Sequence, residues 1–544
     1  MRGSLTHVRV NLIHSFFDAN MNLVQYALSG TYDADKPVLI DGHNPSRTLS
    51  RARATSLVSR LAGSFPEDST VCIHLANDIL YPVLVLSILA SGCCYTSSHI
   101  TYTQPELEHH LRKSEAKYIV TSSDHLRVVV PAVNSVGGDI EIIRFTDVLQ
   151  DEPKAAPEGQ ESLRTLHDLV KNVEEMPLEE RLKAISSDSV AKLTATSGST
   201  GLPKLAVGTH RMAVAECNAS EDRSSAKSYD VRRLYCLPIY HAFPFPEMMI
   251  NSLRLGFTSY YLKRFGDAFP HLVNDYEITE VMVVPSMLVT IGEQASEDID
   301  AKADLQRLKL ILCAGAPLAE SLRVRFLSMF HDTPKLIQAY GTSECGWIST
   351  FSYEDPDGDD ATSVGRLTDA IQVRVSDEHV TNTSDGGRAA ELWIKGPQVM
   401  SGYRSDPDLT SSTLTDDGWL KTGDIAQVDD SGKIFLVGRA KDIIKVDGHT
   451  IAPIEIESVL SGSTGVKDTV VLASQKGEDE HPVVFVVPRT SEGDNVTSAT
   501  IRKILSSKLA KHKVAKCEIK FVEEIPRNEN GKVLKQQLLK HFEK

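Results

Sequence analysis

Cysteine is scarce and its pattern carries no pairing. Eight residues (Cys72, Cys93, Cys94, Cys217, Cys236, Cys313, Cys345, Cys517) are scattered through 544, with no CxxC pair, which excludes a zinc ribbon and a dense disulfide scaffold. The N-terminal MRGSLTHVRVNLIHSFF interrupts its apolar positions with polar ones and offers no small-residue cleavage site, so no secretory leader is expected. Long apolar runs are missing too. The longest, residues 79–94, contains Pro82, Ser87, Ser91 and Gly92 and is too short to span about 30 Å of hydrocarbon; it predicts a buried helix and no membrane span. Positive charge is short: 58 Lys and Arg against 73 Asp and Glu leave a net −15, so no global field holds nucleic acid or an anionic membrane. Any anion must be gripped locally. GxSxG and HExxH are absent, which removes the hydrolases those motifs mark. The terminal HFEK is not a peroxisomal SKL-type tripeptide, and a cytoplasmic location is expected.

What is present is ordinary globular composition, 41% hydrophobic and 24% charged, and enough chain for about three or four structural units. Before residue 188, short β-rich runs (71–75, 118–121, 140–145) alternate with helical stretches (46–61, 105–113), which argues for α/β layers. Residues 151–180 read as a solvated loop and surface helix. A turn at 384–388 is expected to join strands 371–375 and 391–395 as a hairpin. After Gly438 the organisation changes: strands 469–472 and 483–487, a helix with Ile501, Leu505 and Leu509 on one face, a strand at 519–522 and a helix from about Val533. About a hundred residues suffice for a separate α+β domain. His109 and His110 lie in ELEHHLRK with no carboxylate at ligand spacing and read as a solvated face.

The chemistry concentrates in residues 193–210, LTATSGSTGLPKLAVGTH. Glycines let consecutive N–H groups wrap a phosphate, Thr196, Ser197, Ser199 and Thr200 add donors around Gly198, and Lys204 adds a cation. It is not a Walker A loop, since Lys204 follows Pro203 and no hydroxyl residue follows it.

This string resembles the phosphate loop of the adenylate-forming superfamily, which includes acyl- and aryl-CoA ligases similar to 4-coumarate-CoA ligase. Four further stretches match in order: QAYGTSE at 338–344, WLKTGD at 419–424, GRAKDIIKVDGHTIAPIEIE at 438–457 and PRNENGK at 526–532. The resemblance runs from about Pro37 to Lys540. It implies a large N-terminal domain of layered α/β sheets (1–438), a hinge (439–441) and a small mobile α+β domain (442–544). It also implies residue roles. Lys204 and the hydroxyl loop take the β- and γ-phosphates, and Glu344 holds Mg2+. Ser343, where the family usually has Thr, keeps a hydroxyl for the α-phosphate. Asp424 and Arg439 bind the ribose. Gly315, Ala316 and Pro317 with Ala339 and Tyr340 form the adenine slot, Tyr340 stacking on the base. Lys532 bridges the acid and the α-phosphate. Lys441 lies at the hinge, where rotation exchanges the Lys532 loop for the segment around Lys445 to Thr450, and Gly448 lets the thiol arm of coenzyme A pass. Plant ligases usually carry Gln at the position of Thr450, so the resemblance assigns that side chain no role.

The acid pocket is expected between Tyr240, His241 and Pro244 of YHAFP, Gly315, and Gly341 with Trp347 and Ile348. Trp347 stands where many aryl-CoA ligases have a smaller residue, which points to a small or flat acid. No aspartate lies near YHAFP to anchor an amino group, which disfavours an α-amino acid. The function implied is ATP-dependent ligation of a carboxylic acid to coenzyme A through an acyl-adenylate. Two alternatives stay open: loading of the phosphopantetheine arm of a separate carrier protein, there being no room for a fused one after Lys532, and a catalytically silent nucleotide-binding regulator.

Overall fold

The computed structural model describes residues 7–8, 20–150, 152, 157, 159–171, 177–196, 203–221, 227–358, 360, 362–376, 381–382, 388–446, 449–461, 463, 465–476, 479–489, 496–527 and 533–540. Two large sheets form the bulk of the N-terminal region. One orders its strands 141–144, 118–121, 70–74, 94–97, 190–196 and 204–209, parallel except for the last pair. The other has nine strands. Its centre (335–342, 310–313, 280–283, 232–235, 258–261, 37–41) is parallel and both edges are antiparallel. Parallel strands need cover on both faces, and the helix Tyr81–Ala90 (YPVLVLSILA) supplies part of it. All ten of its residues are buried, as a helix apolar all round must be.

A third, antiparallel sheet runs 372–375, 388–395, 420–428 and 434–439. The predicted hairpin is there, with Val375 opposite Leu392, but its connection carries an extra strand, Thr381–Asn382. The apolar cluster built on this sheet reaches Leu436, and a separate cluster begins at Ile444; the short 3-10 turn Ala440–Asp442 lies between them. Beyond it, strands Val466–Lys476, Asp479–Pro488 and Glu518–Phe521 form one sheet. The helix Ser498–Lys508 packs Ile501 and Leu505 into the core. The protein is thus mixed α/β, a large N-terminal domain followed by a small C-terminal one.

Two readings need correction. The helix Leu166–Val170 buries Leu166, Leu169 and Val170, so 151–180 is not wholly solvated. His110 is not on a solvated face: it is 1% exposed and its Nε2 lies 3.0 Å from Thr96 Oγ1, because the helix Gln104–Ser114 turns the Leu107, His110 and Leu111 side inward.

Burial lowers the pKa of three fully enclosed histidines, His74 to about 3 and His110 and His210 to about 4. They stay neutral in the fold but bind protons near 6.5 when unfolded. Stability is therefore complete above pH 6.5 and falls as pH drops through 6.5 toward 4, by on the order of 3 kcal/mol per fully titrated group. Thermal unfolding followed from pH 8 to pH 4.5 should show the loss confined below about pH 6.5. His210→Asn, which keeps an acceptor for the Leu23 N–H that Nδ1 now receives at 3.2 Å, should give a shallower slope.

Candidate active site

Adjacent parallel strands bring the first elements together. Cys313 is paired with Gln338, so Gly315, Ala316 and Pro317 leave one strand where Ala339, Tyr340 and Gly341 continue its neighbour, at the carboxyl edge where open α/β sheets bind ligands. Gly315 has φ +87°, in the left-handed region that favours glycine. A Cβ on Gly341 would meet the carbonyl oxygen of Gly346 at 2.2 Å, so the tight turn to the following strand admits only glycine.

Tyr340 is buried, and its hydroxyl donates to Asp424 Oδ2 at 2.6 Å. Asp424 faces Arg439 across the third sheet, with Arg439 Nε 2.7 Å from Oδ1. Burial raises the Asp424 carboxyl above the usual range while Arg439 and the Tyr340 hydroxyl pull it back. Burial and Asp424 both keep the Tyr340 phenol protonated. A carboxylate accepts about four hydrogen bonds. Tyr340 and Arg439 take one each, which leaves acceptor sites for a vicinal diol.

The Glu344 turn is tied to the Lys204 strand by a segment the sequence did not reveal. Met400 N–H donates to the Glu344 carbonyl, and residues 401–404 then run beside 205–207, with Ser401 N to Val207 O at 2.9 Å and Arg404 N to Leu205 O at 2.8 Å. Tyr403 on this segment donates its hydroxyl to Glu344 Oε1 at 2.7 Å, and Lys204 Nζ lies 5.7 Å from its ring centre. Nothing in SGYRSDP marks Tyr403 as functional; only this backbone pairing brings it in. Lys204 itself is paired with Thr196 across the antiparallel strand pair. Ser197, Gly198, Ser199 and Thr200 lie outside the described residues. Ser343 sits in the turn beside Glu344.

Among the described residues no three His, Cys, Asp or Glu side chains cluster as a metal cage. Mg2+ characteristically takes one or two carboxylates and completes its shell with phosphate oxygens and water. Glu344, one oxygen fixed by Tyr403, fits that role.

The YHAFP stretch meets the hairpin at Trp347, whose Nε1 donates to the Phe243 carbonyl at 3.0 Å, and the two rings lie 5.4 Å apart. Trp347 and Ile348 are buried. Tyr240 and His241, with Tyr95, Ser97, Lys192 and Phe245, line a cavity of about 10 Å³; Pro244, Gly315, Gly341, Trp347 and Ile348 do not line it. His99 packs against both Tyr240 and His241, ring centres 4.9 and 5.5 Å away. Lys441 lies in the turn Ala440–Asp442, and Asp442 is tethered to Lys535 at 2.6 Å. The backbone of Lys445 pairs with Thr450. The Lys445 side chain, Gly448 and Lys532 lie outside the described residues.

Comparison with known proteins agrees in extent with this geometry. The model of the AMP-binding enzymes matches residues 29–404, and that of the AMP-binding enzyme C-terminal domain matches 455–532. The chain is 44% identical to acyl-CoA ligase M9 of Phoma sp., over 96% of this chain and 97% of that protein. It is 32% identical to phenylacetyl-CoA ligase epaB of Aspergillus niger, over 93% and 94%. Its fold matches ATP-bound MatB from Rhodopseudomonas palustris with a TM-score of 0.80 at 22% identity, covering 96% and 99%. Motif order, site geometry and these matches together make the chain a member of the AMP-binding enzymes, the adenylate-forming superfamily.

Proposed function

We infer that the protein is an AMP-forming acyl-CoA ligase. It joins a carboxylic acid to ATP, releasing pyrophosphate, and passes the acyl group of the resulting acyl-adenylate to the thiol of coenzyme A, releasing AMP. The observation that carries the reading is the convergence of Lys204, Glu344, Tyr340, Asp424 and Arg439 on one edge, in a chain 44% identical to an acyl-CoA ligase.

A carboxylate is a poor acyl donor because oxide would have to leave; exchanging oxide for AMP removes that obstacle. Attack of the acid oxygen on the α-phosphorus concentrates negative charge on the phosphoryl oxygens, which preorganised cations and N–H donors stabilise. Asp424 would take the ribose hydroxyls, with Arg439 keeping it ionised. Tyr340 would line the base, and Lys204 with the 196–200 hydroxyls would take the β- and γ-phosphates. Ser343 would reach the α-phosphate. Glu344 would hold Mg2+, which supplies charge neutralisation on the phosphates. Lys532 would bridge the two reactants. We place the swivel between the two domains at 439–441, where one apolar cluster ends and the next has yet to begin.

Enzyme, ATP, Mg2+ and a panel of aryl, short-chain and long-chain acids should yield AMP and pyrophosphate, with acyl-coenzyme A as the thioester. Acylation of a supplied holo-carrier protein in preference to coenzyme A would overturn the acceptor. Absence of acid-dependent pyrophosphate exchange across the panel would overturn the ligase.

Tyr403→Phe removes one hydrogen bond to Glu344 and little else. The half-saturating Mg2+ concentration should rise about 10-fold, as when an outer-shell partner of a metal ligand is lost, with the melting temperature of the free enzyme nearly unchanged. Magnesium titration of pyrophosphate exchange measures this directly.

A further inference from the structure

One helix, Gln104–Ser114, reaches both strands that carry the proposed phosphate end. On its inner side His110 Nε2 lies 3.0 Å from Thr96 Oγ1, and that hydroxyl donates to the Leu193 carbonyl at 2.9 Å, on the strand that ends at Thr196. His109 Nε2 lies 3.0 Å from the carbonyl oxygen of Pro203, the residue before Lys204. A carbonyl only accepts, so Nε2 carries the proton and donates. Proline has no N–H to place in a ladder, and the last described pair of that ladder is Thr196 with Lys204. The His109 bond holds the residue beyond it.

The C-terminal end of the same helix grips the Tyr403 segment. Glu115 accepts from Arg404 through Oε2 at 2.7 Å and from the Ser405 hydroxyl through Oε1 at 3.2 Å, and the Lys113 ammonium donates to the Ser405 carbonyl at 3.3 Å. Glu115 and Ser405 both have left-handed backbones, at φ +55° and φ +52°. Helices often end on a left-handed residue, but it is usually glycine, which takes that conformation without strain. Here the position carries a side chain that leaves the helix and engages another segment with both its oxygens. Other residues are held in this region only where their surroundings over-determine them, and they gather at functional sites. Exposed ion pairs add little stability, and the Arg404 and Glu115 side chains are 35% and 56% exposed. Stability therefore does not account for a glutamate at this helix end.

Resting on the reading that Lys204 and its neighbours take the β- and γ-phosphates, we propose that the helix Gln104–Ser114 braces that end of the nucleotide site, with His109 and Glu115 as positioning residues. His109 fixes the backbone ahead of Lys204. Glu115 fixes the segment whose Tyr403 hydroxyl steadies Glu344. Without the brace, that ordering falls on the bound triphosphate and is subtracted from its affinity. AMP lacks the β- and γ-phosphates, so its binding does not feel the difference.

The test is calorimetric titration of the full-length enzyme with ATP and Mg2+, and separately with AMP, in the absence of acid. In His109→Leu the Kd for ATP should rise about 3- to 10-fold, the range for one lost hydrogen bond, with Kd for AMP within about twofold of the parent. In His109→Gln, whose side-chain amide offers an N–H to the Pro203 carbonyl, Kd for ATP should return to within about twofold of the parent. Glu115→Gly relieves the left-handed residue, so it should melt at or above the parent temperature and still weaken ATP by about threefold. A residue present only for stability would not separate the two. If AMP weakens as much as ATP, if ATP is unaffected in both folded variants, or if glutamine does not restore the affinity, the proposal fails while the ligase stands. Should His109→Leu not fold, Glu115→Gly decides alone. If the parent releases no pyrophosphate with any acid, the ligase reading fails, and the two Kd values still judge the brace.

Discussion

Lys532→Ala slows acid-dependent exchange of pyrophosphate into ATP by about 10²- to 10³-fold, the loss expected for one preorganised donor at a developing oxyanion. Transfer of a supplied acyl-adenylate to coenzyme A stays within a few-fold of the parent. The asymmetry is what the proposed swivel at 439–441 predicts, if one active site serves two reactions and the segment carrying Lys532 attends only the first. The residues on either side of 528–532 are tied together: Arg527 bridges Val533, Leu534 N–H donates to the Pro526 carbonyl at 2.8 Å, and Arg527 is bound to both oxygens of Asp468. Those contacts do not involve the Lys532 side chain, so its removal leaves the small domain folded. Single-turnover assays of the two half-reactions separate the effects; equal losses in both would remove Lys532 from its assigned place.

Asp424→Asn has the second large effect. The amide oxygen still accepts from Tyr340, but the charge is gone and Arg439 faces a neutral group. On the proposed role, two hydrogen bonds from a ribose to the carboxylate are weakened. Hydrogen bonds to charged groups contribute about 1.5–3 kcal/mol each, so KM for ATP and Kd for AMP should rise by about 10- to 10²-fold, with a smaller change in kcat. Because the Arg439 side chain is 47% exposed, water solvates it once its partner is lost, and the melting temperature should move little. Calorimetric titration with AMP, alongside a thermal scan, distinguishes this from a structural role: a large drop in melting temperature with unchanged AMP affinity would assign Asp424 to the fold.

The layered α/β class, the buried helix Tyr81–Ala90 inside the apolar run 79–94 and the amphipathic helix Ser498–Lys508 were legible from local pattern, because alternation and 3.6-residue periodicity are local properties. The expectation of a nucleotide edge came the same way, from the stretches at 193–210, 338–344 and 419–424, whose family resemblance is written in consecutive residues. His110 was misread for the opposite reason: a polar residue in a charged string is indistinguishable from a solvated one until a neighbouring strand supplies Thr96 as its partner.

Glu344, Asp424 and Lys204 could be proposed from the chain alone because each sits inside a short string that resembles a motif of the family. Tyr403, Lys192 and Glu216 could not. Tyr403 reaches Glu344 only because residues 401–404 add themselves to the strand that begins at Lys204. Lys192 reaches Glu216, 24 residues further along the chain, because the strand Val190–Thr196 and the helix His210–Ser220 pack against each other. Contacts of that kind depend on register and on which faces close over each other, and no residue spacing encodes either. Linear order therefore carries the family and its reaction, and packing decides which groups steady the Glu344 and Asp424 carboxylates.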